Sequence, residues 1–261
     1  MVLSEYQLEG GYAMTIEIVQ EFQDQAWTML LYGESGIGKT TFAAKAPKAL
    51  IINIENGLKG VDLKSYDAFA TTPIDSWPEV KKLLMKCLNS ERFTTIVIDS
   101  VSKLQELMIQ DICKNGDDKG PKDTLAAFGY GAGYQKLSAE AALFLELVES
   151  LKKHNKNVIL IAHATVETFQ DPSSGGYDRF NVSLDKRISE RIKANVDYIW
   201  YLHQEKVVAE RDGAKPVAKF RNNILAQTSS SGAVVAKTRG THEKFIPIKN
   251  DESARAIFDS L

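Results

Sequence analysis

The chain has 261 residues, a formal net charge of −2, 44% hydrophobic residues and 25% charged residues. This balance is that of a soluble globular protein and excludes disordered and fibrous classes. A near-neutral charge also excludes a global basic field, so any contact with nucleic acid must come from a local patch. No apolar run approaches the length that spans a bilayer, and the N-terminus lacks a basic-then-apolar leader pattern. Cys87 and Cys113 are far apart and lack metal-ligand spacing, which predicts reduced core thiols in a cytoplasmic protein with no membrane partner.

In chain order, residues 1–27 read as an N-terminal extension broken by Gly10-Gly11. Within it, Met14–Val19 alternates weakly and is expected as an edge strand that could serve oligomerisation. Residues 28–250 read as one core and residues 251–261 as a C-terminal tail. The apolar strand Thr28-Met-Leu-Leu-Tyr32 runs straight into Gly33-x-x-x-x-Gly38-Lys39-Thr40. Leu50–Ile54 is a second apolar strand. Ser76-x-x-Glu79 reads as a capping box, followed by a helix with Val80, Leu83, Leu84, Cys87 and Leu88 on one face. Thr94–Ile98 is a third buried strand ending in Asp99, and Val101, Leu104, Met108 and Ile112 mark the next helix. Residues 114–124 read as a loop, and the glycine–aromatic run Phe128–Tyr134 as a flexible lead into a long helix through Leu151. Val158–Ala162 is a fourth buried strand, 165–183 a second long loop, and Leu184, Ile188 and Ile192 a short helix. Asp197–Leu202 is a fifth strand, Asp212-Gly213 a hairpin turn and Val234–Lys237 a late strand. Alternating strands and helices predict an α/β fold: a mostly parallel sheet with helices on both faces and a C-terminal β-hairpin extension.

The glycine-rich run is a phosphate loop in its required context, strand before and helix after. Gly33, Gly36 and Gly38 allow a tight turn whose N–H groups face an anion, with Glu34, Ser35, Ile37 and Thr41 completing the cradle. Lys39 can reach the β/γ-phosphates and the Thr40 hydroxyl can ligate Mg²⁺. The expected ligands are therefore ATP and Mg²⁺. Asp99, at a buried strand end, is expected to hold the metal's water shell, the alternative being a helix N-cap. Ser100 follows it, where many ring ATPases carry their catalytic glutamate. Glu55, ending the second strand, is then the candidate for orienting the attacking water, the alternative being a surface acid. Phosphate loop, Glu55, Asp99 and His163 all lie at strand carboxyl ends, where ligands bind in such sheets.

This pattern resembles the core of RecA-like recombinases: a phosphate loop, then Ile52-Asn-Ile-Glu55, then Ile96-Val-Ile-Asp-Ser-Val101, then Val158-Ile-Leu-Ile-Ala-His163. The resemblance implies a P-loop NTPase of RecA-like core type. It puts His163 in the place of a γ-phosphate sensor, usually glutamine in that family. It also implies that Lys237 and Arg239, in Val234-Val-Ala-Lys-Thr-Arg239, reach a neighbouring subunit's nucleotide. More closely, residues 28–240 resemble the phage-encoded core-only RecA-like ATPases, including the Sak-type proteins of single-strand annealing recombination, acting in a bacterial host. That resemblance implies a homo-oligomeric ring or filament on single-stranded DNA, with a single-strand-binding protein as an additional partner. In RecA-like proteins two axial loops hold the DNA. By position the loops here offer Tyr130, Phe169 and Arg179, with Lys186 and Arg187 on the adjoining helix. Cations interleaved with aromatics suit a non-specific single strand.

A second reading keeps the site but directs it at a protein partner, as in a helicase loader or packaging-type accessory. A small-molecule kinase would need an arginine-rich lid, and no compact Arg-rich insertion is present. A nucleotide-gated binding module with negligible turnover is the fourth reading, opposed by Glu55.

Overall fold

The computed structural model describes residues 26–171, 175–211, 214–249 and 251–261. The expected strand at Met14–Val19, and the 1–27 extension apart from Ala26 and Trp27, lie outside the described residues.

Continuous apolar runs form strands buried on both faces. Every residue of β1 (Thr28–Gly33), β2 (Ala49–Asn53) and β4 (Thr95–Asp99) is buried. With β3 (Phe69–Ala70), β5 (Asn157–Asp171), β6 (Gly175–Val182), β7 (Tyr198–Arg211), β8 (Ala214–Gln227) and β9 (Phe245–Ile248) they make one sheet. Its order is β3-β2-β4-β5-β1-β7-β8-β9, with β6 paired to β5. The run from β3 to β7 is parallel, while β7–β8–β9 and β5–β6 are antiparallel. The predicted class, an α/β sheet with a C-terminal hairpin extension, is the observed one.

The helices are α1 (Lys39–Ala43), α2 (Trp77–Leu88), α3 (Val101–Asn115), α4 (Ala132–Lys153), α5 (Lys186–Asn195) and α6 (Asp251–Asp259). Because a strand's side chains alternate, β1 serves two cores. Leu30 and Tyr32 pack with Trp77 of α2, Leu104 of α3, Phe144 of α4 and Ile188 of α5. Met29 and Leu31 pack with Phe42 of α1 and with Ala254, Ile257 and Phe258 of α6. The stretch expected as a tail therefore supplies a helix to the second core, with Phe258 stacked on Trp27 at 6.0 Å. As the capping pattern predicts, the Ser76 hydroxyl accepts from the Glu79 N–H at the start of α2.

Three further expectations are corrected. Residues 165–183 are not a loop: β5 runs on to Asp171 and pairs in register with β6, from Ala164↔Val182 to Asp171↔Gly175. The alternation Thr-Val-Glu-Thr-Phe was a strand signal outweighed by the Pro, Ser and Gly that follow it in the sequence. The loop expected at 114–124 is present from residue 116, with an isolated Asp117↔Gly120 bridge, whereas the segment expected to be flexible, Phe128–Tyr134, is taken up at its ends by a 3-10 turn (Leu125–Phe128) and by α4 from Ala132. Gly133 opens α4 against the 3-10 turn; a Cβ there would meet the Leu125 carbonyl oxygen at 2.2 Å. Among the described residues, Val234–Lys237 forms no strand but isolated bridges, Val234 to Phe180 and Ser231 and Lys237 to Ile199. Around the expected hairpin turn, β7 and β8 pair as predicted, but Asp212 and Gly213 themselves lie outside the described residues.

At the amino end of the central strands, Asp197 is buried and charged. Its carboxylate accepts from the Thr28 N–H (2.9 Å), the Thr28 hydroxyl (3.0 Å) and Lys152 Nζ (2.7 Å). Burial alone would raise its pKa; the Lys152 and Thr28 donors more than offset this and hold it below the usual carboxylate range. The fold thus favours the charged form. The resulting stabilisation is complete above the unfolded carboxylate's pKa and disappears as pH falls through the lower folded value. Asp197→Ala is expected to cost ~3–5 kcal/mol at neutral pH, because Lys152 loses its buried partner. Urea unfolding should show the gap between variant and parent narrowing below a pH of about 4.

Candidate nucleotide site

The loop leaves β1 where the strand is held on both sides: Gly33 sits opposite His163 of β5 and Leu202 of β7. A Cβ on Gly33 would meet the Leu202 carbonyl oxygen at 2.5 Å, so the close strand approach requires glycine. Gly36 and Gly38 have φ of 78° and 95°, which side-chain-bearing residues rarely adopt. No atom lies within 4 Å of a Cβ placed on Gly36, so the loop is open on that side. Glu34 and Ser35 are exposed on the loop, with Ile37 half-buried. Since α1 is a single short turn, the loop amides rather than a long helix supply most of the anion-binding donors.

Lys39 is buried and donates from Nζ to the Gly33 (3.0 Å) and Glu34 (2.8 Å) carbonyls. Its pKa is lowered by burial, against the attraction of Asp99, Glu55 and Glu34. Thr40 donates its hydroxyl to Asp99 at 2.6 Å, bringing together the two residues expected at the metal. The helix cap of α3 is Ser100, whose hydroxyl accepts from the Lys103 N–H at 3.2 Å. Asp99 is therefore free of the capping role that was its alternative. Burial, with Glu55 adding to it, pushes the Asp99 carboxyl above its usual range against the Thr40 hydrogen bond.

Glu55 follows β2, and its N–H bonds the Asp99 carbonyl at 3.0 Å. Its Oε1 meets His163 Nε2 at 2.7 Å. The cleft has a volume of about 370 Å³ and gathers the phosphate loop, Glu55, Asp99 and His163. Its far wall is Gly57, Lys59, Gly60 and Val61, which sequence reasoning missed; the signal was the Glu-Asn-Gly break after β2.

These residues fit a nucleotide and its metal. A glycine cradle with open space, a buried ammonium and a hydroxyl–carboxylate pair under electrostatic stress are what phosphates and a divalent cation would relieve. Lys39 and the loop amides would hold the phosphates; Thr40 and Asp99 would hold Mg²⁺. When bound, the cation supplies positive charge that polarises the phosphate oxygens.

Lys237 and Arg239 do not join this cleft. Lys237 Nζ bonds the Val196 (2.6 Å) and Lys193 (3.3 Å) carbonyls, capping the carboxyl end of α5. Arg239 Nε pairs with Asp197 at 2.9 Å, at the opposite edge of the sheet. The DNA candidates divide into two groups. Phe169 and Arg179 lie on the β5–β6 hairpin, where Arg179 covers the Phe169 ring at 4.0 Å and pairs with Glu167 at 2.7 Å. Tyr130 is fully exposed just before α4, and Lys186 and Arg187 are exposed at the start of α5, with Arg187 over the Tyr134 ring at 5.5 Å.

Loop, lysine, hydroxyl and strand-end carboxylate define a P-loop NTPase. A family model described as an AAA domain, AAA_24, matches residues 25–240, and the chain belongs to this family of AAA-domain P-loop ATPases. It is also similar to the SPbeta prophage-derived uncharacterized protein YorG of Bacillus subtilis (strain 168), with 25% identity over 193 residues. That match covers 72% of this chain and 54% of YorG, so the chain spans about half the length of the curated relative. Among solved structures, the flagellar accessory protein FlaH from Methanocaldococcus jannaschii covers 85% of this chain and 84% of its own, at 14% identity. Its TM-score of 0.39 is too low to add to the argument. Among the described residues, no helix is long and apolar enough to cross a membrane.

Asp99→Asn tests the metal assignment. Because the fold raises this carboxyl's pKa, its charged form opposes folding at neutral pH, and the amide removes that cost. The variant's thermal midpoint without nucleotide is expected to equal or exceed the parent's, while calorimetry shows nucleotide binding that no longer responds to Mg²⁺.

Proposed function

We propose that this chain hydrolyses ATP and uses the hydrolysis cycle to change its grip on single-stranded DNA, in phage-type recombination by strand annealing. The observation that carries the hydrolysis is the contact of Glu55 with His163 beside the Thr40–Asp99 pair. Glu55 is the base that orients the attacking water, and His163 steers the Glu55 carboxylate from the strand next to the phosphate loop. Lys237 and Arg239 lie too far from this chain's own loop to serve it. Arg239, whose side chain is 65% exposed, is the better candidate for a neighbouring copy's nucleotide in a ring or filament. Lys237 is the weaker candidate because it already caps α5.

For DNA, the surface at the starts of α4 and α5 is the favoured contact. Arg187 lies over Tyr134, Lys136 lies over Phe128 at 5.6 Å, and Lys186 and Tyr130 are exposed beside them. Lys136, Lys186 and Arg187 make no ion pair among the described residues. Charge that is not already spent can track phosphates, while rings stack on bases. A single-strand-binding protein would be a natural companion on the same strand.

The second reading, a protein partner, is favoured by the hairpin. Residues 164–182 carry Glu167, Asp171 and Asp178 against Arg179 alone, and Val166 is 57% exposed. An acidic hairpin with an exposed apolar residue suits a basic protein surface better than a phosphate backbone.

Glu55→Gln is expected to keep ATP binding and to slow turnover by about 10²–10⁴-fold; unchanged turnover would remove Glu55 from the chemistry. Long single-stranded DNA should stimulate hydrolysis, with Lys39→Ala as the inactive blank. Tyr134→Ala should weaken binding to that strand by ~1–3 kcal/mol per stacked base. Turnover indifferent to DNA would favour the protein partner.

A further inference from the structure

Three backbone segments meet at Ser102, in the first turn of α3, three residues beyond Asp99. The Ser102 hydroxyl accepts from the His163 N–H at 3.1 Å and donates to the Ser183 carbonyl at 3.1 Å. Ser183 closes the ring by donating its N–H to the His163 carbonyl at 2.8 Å. His163 is where β5 leaves the sheet to become the hairpin, and Ser183 is where β6 returns. One turn further along the same face of α3, Gln105 accepts from the Asp185 N–H at 2.7 Å. Asp185 is the N-cap of α5, its carboxylate accepting from the Arg187 N–H at 2.9 Å. A hydroxyl has one proton to give and lone pairs to receive, so Ser102 fills both roles at once; alanine fills neither and threonine fills both.

We propose that Ser102 is the positioning residue that couples the nucleotide cleft to the β5–β6 hairpin and the start of α5, with Gln105 as its second grip. This rests on reading the cleft as a nucleotide site. Asp99 and the helix that follows it form the input. The Ile54 and Glu55 N–H groups bond the Asp99 carbonyl at 2.8 and 3.0 Å, and Glu55 holds the His163 ring at 2.7 Å. A shift of Asp99 or Glu55 on nucleotide binding therefore reaches His163 by two routes: through its ring from Glu55, and through its backbone N–H from Ser102. The output is the hairpin root and the α5 cap, the roots of the two surfaces that carry partner-binding candidates. Ser102 does not line the cleft, and its hydroxyl meets His163 at the backbone N–H, so its part is transmission.

Hydrogen exchange of residues 164–187, with and without a slowly hydrolysed ATP analogue and Mg²⁺, tests this on the full chain. The parent is expected to gain protection there when the analogue binds. Ser102→Ala should keep the parent's affinity for the analogue and its basal turnover yet lose that gain, and Ser102→Thr should restore it. Gln105→Ala should lose the part of the gain that falls on 184–187. A merely structural role would speed exchange equally with and without the analogue, and that result overturns the proposal. So does a Ser102→Ala gain equal to the parent's, or a parent that binds the analogue with no change at 164–187. A parent that fails to bind the analogue overturns the nucleotide reading itself, and the coupling with it.

Discussion

The structure depends on the parallel pairing of β1 with β5 on one side and β7 on the other. That register sets Gly33 level with both His163 and Leu202, and so fixes where the chain can turn away from the sheet. The approach of β7 leaves no room for a side chain at Gly33, and the positive φ of Gly36 and Gly38 completes a turn open toward solvent. Because β1 is buried on both faces, the loop's root cannot shift without disturbing two cores at once. A loop anchored in this way presents its amides in a fixed array, which is the condition for binding phosphate without a reorganisation cost.

The same register decides which polar residues meet. The strand carrying Asp99 is separated from β1 by β5, so the metal carboxylate reaches Thr40 across the end of an intervening strand. His163 ends the in-sheet part of that strand and lies between the loop and Glu55. The result is a group of charges whose pKa values are pulled in opposing directions: burial lowers Lys39 and raises Asp99. Charges under such stress mark functional sites more often than structural ones, since a structural pair relaxes toward mutual satisfaction. Asp197 is the contrast: it is equally buried, but its donors satisfy it and lower its pKa.

The hairpin links chemistry to surface. β5 is both the central strand that carries His163 and the first arm of the antiparallel hairpin, so the two functions share one continuous backbone. The polar ring of His163, Ser102 and Ser183 closes at the point where one becomes the other. Within the hairpin, Arg179 is taken up by Glu167 and Phe169, which leaves Lys136 of α4 and Lys186 and Arg187 of α5 as cations with no ion pair among the described residues.

The sequence by itself determined the phosphate loop, the buried strands and the strand-end residues Glu55, Asp99 and His163, because local rules govern each of them. Glycine spacing encodes the turn, unbroken apolar runs encode two-sided burial, and a polar residue ending such a run must lie at the sheet's carboxyl edge. Tertiary structure alone decided what these residues touch. The Glu55–His163 contact spans 108 positions, and the uptake of Lys237 by α5 and of Arg239 by Asp197 rests on pairings that no local pattern carries. Residues 165–183 looked like a loop because the sequence Pro172-Ser-Ser-Gly-Gly176 is rich in turn formers, yet the segments on either side satisfy their backbone groups in each other. Residues 251–261 looked like a tail because a helix this short is marginal alone; its Phe258 packs into a core whose members include Trp27 and Phe42, both more than 200 positions away.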